Sequence, residues 1–138
     1  MTASIAFKAA KILRGARDFI ADPSHWVKLY FGMRDGVDAS GALQVADSVC
    51  SLGALGKVAG LDCWGRHMTD EAFLAERYLQ DVVTKIDDFL SVPEFNDARE
   101  TTHGDVVAAF DLAIEEACKI VRKEAEEIFP DGQKDHTP

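Results

Sequence analysis

Four stretches of the chain repeat apolar residues every three or four positions, and the breaks between them organise everything else. In the first, Ile5, Ala9, Ile12, Leu13, Ala16, Phe19 and Ile20 share one side of a helix, while Lys8, Lys11 and Arg14 line the other. The spacing predicts a helix over about residues 4–21. Pro23 ends it, because a residue before proline is pushed out of the helical region. From His25 to Val37 the helical period is lost. Trp26, Val27, Tyr30 and Phe31 precede an Asp35-Gly36 turn signal, so residues 26–37 read as a short extended or hairpin segment. A lone hairpin is not stable in water, so this one is expected to pack on the helices.

A second helix is expected over about residues 40–59, with Val45, Val49, Leu52 and Leu55 as its bulk and Gly60 at its C-terminus. Its other positions are small (Ala42, Ala46, Cys50, Gly53, Ala54, Gly56), which would let another helix approach closely and make this the central one. Thr69 opens a third helix with Asp70 and Glu71 in the first turn, where acids favour the helix dipole. Ala72, Phe73, Leu79, Val82, Val83, Ile86, Phe89 and Leu90 form its expected buried stripe, and Pro93 marks its end. The fourth runs from about Gly104 to Ile128 on Val106, Phe110, Ala113, Ile114, Ala117, Val121 and Ile128. Short connections between four helices imply an all-α fold, a compact antiparallel bundle. A single domain over residues 1–129 is expected, followed by a short disordered polar tail at 130–138.

Between the last two helices lies the most polar run, Phe95 to Asp105. Thr102 is placed to cap the fourth helix, and Asp105, three residues on, can complete a capping box. The ordinary reading is that Asn96 and Asp97 close turns through their own side chains, Thr102 caps, and His103 merely occupies the first turn. The functional reading makes Trp26, Asn96, Asp97, Thr102 and His103 a ligand-binding group at one end of the bundle.

Charge narrows the partners. Residues 1–68 hold 8 Lys+Arg against 6 Asp+Glu, while residues 69–138 hold 7 against 18, within a net charge of −9. An acidic C-terminal half repels phosphate backbones, so direct nucleic-acid binding is not expected and a protein partner is. Three cysteines without framework spacing (Cys50, Cys63, Cys118) suggest a reducing cytoplasm. No run of about 18 apolar residues is present, so no membrane span is expected. The basic first helix superficially resembles a presequence, but its apolar face continues through Phe19 and Ile20 as in an ordinary helix.

The candidate chemistry is thin. Cys50, His103 and Asp97 (or Asn96) have the residue types of a cysteine hydrolase. If Ser40 caps the second helix, Cys50 lies about ten residues inside it, far from the N-terminus that would activate a thiol. With Asp47 as the cap, Cys50 would fall in the first turn. Cys63 and His67 stand four apart, but the second ligand pair of a structural zinc site is missing, so no metal and no cofactor is expected. Gly53-Ala54-Leu55-Gly56 lacks the Lys and Ser/Thr of a phosphate loop. Adjacent acids such as Glu115-Glu116 point in different directions on a helix and read as solvation.

Trp26, the run Cys50-Ser51-Leu52-Gly53-Ala54-Leu55, and Phe95-Asn96-Asp97 followed by Thr102 and Val106-Val107 together resemble a family of small uncharacterised proteins, a domain of unknown function found in bacteria and their phages. That family's pattern has tryptophan where Phe95 stands, a change that keeps the aromatic role. The resemblance covers about residues 10–118. It implies a helical domain of bacterial or phage origin and no particular activity. The expectation is therefore a non-enzymatic, protein-binding accessory or regulatory factor of phage, prophage or plasmid origin. The alternative is a small-molecule binder or cryptic hydrolase built on Cys50, His103 and Asp97, and a homo-oligomeric module is a third option.

Overall fold

The computed structural model describes residues 4–89 and 91–128. The expected tail at 130–138, and Leu90 of the expected third stripe, lie outside them. Helix α1 (Ile5–Ile20) starts where Ser4 Oγ accepts the Phe7 N–H at 3.0 Å. It buries Ala6, Ala9, Ala10, Ile12, Leu13, Ala16 and Ile20. Alanine at four of these positions brings other backbones close. The hub of the molecule is accordingly α1, which packs against three other helices: α2 (Ser51–Val58), α3 (Asp70–Asp87) and α5 (His103–Ile128).

The chain is mostly helical, but a small sheet corrects the all-α expectation. Strand β1 (Gly32–Arg34) turns through Asp35 and Gly36, at φ +51° and +77°, into β2 (Val37–Asp38). Positive φ at both central residues suits the right-handed twist of a hairpin. The other edge of β1 pairs antiparallel with β3 (Ser48–Val49), giving the order β2-β1-β3.

That third strand falls where a long second helix was expected, and α2 has only eight residues. The stretch before it is held open by polar ties. Lys57 Nζ donates to the carbonyls of Leu43, Gln44 and Ala46 at 2.8–3.1 Å, Asp47 Oδ2 accepts the Asp35 N–H at 2.9 Å, and Ser40 bonds Asp38 instead of capping a helix. Ser51 to Gly56 are all buried, and α1 is the main element packed on this helix, while the approach at its glycines comes from the chain beside β1 and from Leu43. A Cβ on Gly53 would stand 1.8 Å from the Phe31 carbonyl oxygen, and one on Gly56 2.8 Å from Leu43 Cδ1.

Helix α3 opens as expected, with Thr69 Oγ1 accepting the Ala72 N–H at 3.2 Å. It stops at Asp88, in the left-handed region at φ +60°, before Pro93 is reached. Pro93 instead begins α4 (Val92–Asp97), behind a Ser91 cap bonded to the Glu94 N–H. Proline suits a first helical turn because the N–H it lacks would be unpaired there. The capping box of α5 is reciprocal: Asp105 N–H reaches Thr102 Oγ1 at 3.1 Å, and Thr102 N–H reaches Asp105 Oδ2 at 2.9 Å.

Several residues assigned to buried stripes are exposed, among them Ile5, Val45, Phe73, Ile86 and Ile128. At about 100° per residue, Phe73 falls roughly 120° around α3 from the buried Leu79. Ile86 is in line with Leu79 but belongs to the last turn of α3, at the end of the packed stripe. Among the described residues, no helix is long and apolar enough to cross a membrane.

Candidate functional site

Trp26, Ser51, Asn96 and Asp97 come from three separate parts of the chain and meet at Asn96. Trp26 is placed by the 3-10 turn Pro23–His25, which Asp22 starts by accepting the Ser24 N–H at 2.9 Å. After that turn the backbone becomes extended, and Trp26 and Val49 form an isolated parallel bridge. Ser51 is the first residue of α2, and Asn96 and Asp97 close the short α4.

Asn96 is completely buried. Its Oδ1 accepts three hydrogen bonds, from Trp26 Nε1 at 2.7 Å, Ser51 Oγ at 2.7 Å and Ser51 N at 3.0 Å. Its Nδ2 donates to the Val27 carbonyl at 3.2 Å and to Asp97 Oδ1 at 3.0 Å. Three donors around one atom require that atom to be the carbonyl oxygen, which fixes the amide orientation. The side chain is thus saturated by the protein, and it ties the segment after α1 to the starts of α2 and the end of α4.

Asp97 extends the arrangement outward. Its Oδ1 also accepts the Leu29 N–H at 2.8 Å. Leu29 adopts φ +74° and is three-quarters exposed. A left-handed leucine costs about 1–2 kcal/mol. Lys28 braces the same loop by donating to the Ala98 carbonyl at 2.6 Å, with its ammonium 5.8 Å from the Trp26 ring centroid.

The other candidates are near but occupied. His103 sits in the first turn of α5, its ring tilted against Trp26 at 5.9 Å between centroids, and its Nε2 is 2.6 Å from the Ile20 carbonyl. Thr102 is exposed and serves the capping box. Cys50 is the N-cap of α2, closer to a helix N-terminus than the Ser40-capped alternative would place it. Its Sγ accepts the Gly53 N–H at 3.3 Å. Burial nevertheless pushes the thiol up to about 11, outweighing the backbone N–H groups of Gly53 and Leu52, and the Asp97 carboxylate pushes it the same way. Cys50, His103 and Asp97 therefore each bond to a group other than one another, and the thiol is held in its unreactive protonated form.

Cys63 and His67 line a different cleft, with Asp62 and Arg66. Among the described residues, no group of three or more His, Cys, Asp or Glu side chains is arranged to hold a metal ion. Sequence reasoning missed Ser51 and Lys28. Ser51 carried no readable signal, since the expected helix over residues 40–59 placed it in mid-helix, and its relation to Asn96 spans 45 positions and is tertiary.

A family model described as a family of unknown function (DUF6197) matches residues 6–116, and the chain belongs to that family. The match includes Trp26, Cys50, Ser51, Asn96, Asp97 and Thr102. No curated protein and no solved structure matches the chain.

Proposed function

We propose that the chain is a non-enzymatic protein-binding domain, an accessory or regulatory factor of the kind carried by phages, prophages or plasmids, whose acidic C-terminal half meets the partner. The observation that carries this reading is the excess of acidic over basic residues in the second half of the chain. Asp70, Asp81, Glu100, Asp105, Asp111, Glu115, Glu116, Glu126 and Glu127 are all exposed on or beside α3 and α5. An excess of negative charge steers a basic partner and raises the on-rate.

The test is capture of the partner by the tagged chain at 50 and 500 mM salt, alongside a variant with Asp105, Glu115 and Glu116 replaced by amides. The yield is expected to fall with salt and with the triple substitution. A yield indifferent to both would overturn the reading. Gene neighbours test the mobile-element setting: housekeeping neighbours in several genomes would remove that part of it.

The hydrolase reading is weaker, because it needs a reactive Cys50. A thiol reagent at pH 8 is expected to label Cys63 and Cys118, both part-exposed, well before buried Cys50. Rapid labelling of Cys50 in the native state would revive a catalytic role.

A further inference from the structure

Two shallow clefts run into each other along the α3–α5 face. One, of about 180 Å³, is lined by Val82, Lys85, Ile86, Leu112, Glu115 and Glu116. The second, of about 310 Å³, continues from Ile86 past Phe89 and Phe95 to Glu100, Asp105 and Ala108. As the chain is followed from Val82 in α3 to Phe89 just past its end, the facing residues of α5 run backwards from Glu116 to Asp105. The two helices are antiparallel here and the clefts form one groove. From Asp105 to Glu116 the groove extends about 16 Å along α5, roughly three helical turns.

Its floor is apolar and open to solvent: Ile86 is 48% exposed and Leu112 45%. Its rim is acidic, with Glu115 and Glu116 at one end and Glu100 and Asp105 at the other. Lys85 is the cation among the lining residues. Lys119 lies beyond, 3.4 Å from Glu116 and 4.0 Å from Glu115, and such exposed pairs neutralise little. The groove remains net negative.

We propose that this groove receives one amphipathic helix of the partner protein, roughly three turns long, with apolar residues at i, i+3 or i+4, and i+7 and with Lys or Arg on both flanks. An apolar strip of this length matches the helix-in-groove mode of recognition, and the acidic rim at both ends selects basic flanks over acidic ones. This inference deepens the protein-binding reading and rests on it. It adds where the partner sits and what shape it has.

The experiment uses the full chain and three synthetic 14-residue peptides: leucine at the three anchor positions with lysine flanks, the same leucines with glutamate flanks, and the lysine peptide with its leucines replaced by serine. The lysine–leucine peptide is expected to saturate at one per chain and gain helicity, with at least tenfold weaker binding at 300 than at 50 mM salt. Leu112→Glu and Ile86→Glu are each expected to weaken it tenfold or more. Leu112→Gln does so more mildly, and Phe73→Glu, on an exposed residue outside the groove, leaves it unchanged. Equal binding of the serine peptide would overturn the proposal in favour of charge attraction alone. So would wild-type affinity in Leu112→Glu, or sedimentation showing a dimer whose self-contact closes the groove. If the captured partner still binds Leu112→Glu in a salt-sensitive way, the groove is wrong while the protein-binding reading stands.

Discussion

Asn96 spends its whole side chain on the fold: three donors meet at Oδ1 and two acceptors at Nδ2. Replacing it with alanine strands groups that water cannot reach, at about 1–3 kcal/mol per unpaired group. Asn96→Ala is therefore expected to lose on the order of 4 kcal/mol in urea unfolding, a diagnostic loss for a chain of this size. Trp26→Phe removes a single donor and leaves Oδ1 its two Ser51 bonds, so a loss of about 1 kcal/mol is expected. A catalytic asparagine would show the reverse pattern, with little effect on stability. Cys50 makes a pH prediction at the same scale. Its folded pKa, about 11, lies above the ordinary thiol value of 9.0. Between those values the unfolded chain has given up the proton that the folded chain keeps, so stability falls as pH rises through that window. The stability advantage of the wild type over Cys50→Ala is expected to shrink by about 2 kcal/mol from pH 9 to 11. An advantage that stays constant would mean the thiol is not held protonated. The residue types of this cluster were legible in the chain. Their saturation was not, because each bond except Asn96–Asp97 links positions about 45 to 70 apart.

Among the elements, caps read well and lengths read poorly. The readable starts were Ser4, Thr69 and the Thr102–Asp105 box, and all three are local bonds between residues three apart. The second helix was overestimated because an Ala- and Val-rich stretch can also line a turn and the edge of a sheet. The glycines separate these cases. Gly53→Ala drives a Cβ into the Phe31 carbonyl, so α2 must part from the backbone that leads into β1, and a loss of more than about 3 kcal/mol or failure to fold is expected. At Gly104, in the first turn of α5, a Cβ meets only Thr102 Oγ1 at 3.8 Å. Gly104→Ala is expected to raise stability by about 0.5–1 kcal/mol through lower chain entropy and better helix propensity. Opposite signs in thermal melts of the two variants check the assignment of both sites.

For the whole molecule, charge acts on folding and binding in opposite directions. A net charge of −9, concentrated in the second half, repels itself in the compact state. Raising salt from 20 to 300 mM is expected to raise Tm by a few degrees while weakening the basic partner, because screening relieves the first interaction and removes attraction from the second. The cross-link from Arg17 to Asp111, at 2.9 Å between α1 and α5, is exposed and works slightly against this trend. A fall in Tm over that range would show that attractive pairs outweigh self-repulsion.

The sequence by itself determined what depends on neighbours three or four residues away: three of the helices and their caps, the Asp35-Gly36 turn, the charge imbalance, and a motif pattern resembling an uncharacterised family. Each follows from helical or turn geometry that the chain satisfies locally. Only the tertiary structure decided that a 3-10 turn (Leu43–Val45) and the short β3 stand where half of a helix was expected, that Pro93 lies in the first turn of α4 instead of ending α3, and that Ile86 and Leu112 stay open to solvent. Those outcomes depend on which distant backbone or side chain arrives to satisfy a carbonyl or cover an apolar surface. The loop from Phe95 to Asp105 shows both: its Thr102 cap was written in the spacing, while Asn96 acquired its role only when Trp26 and Ser51 folded onto it.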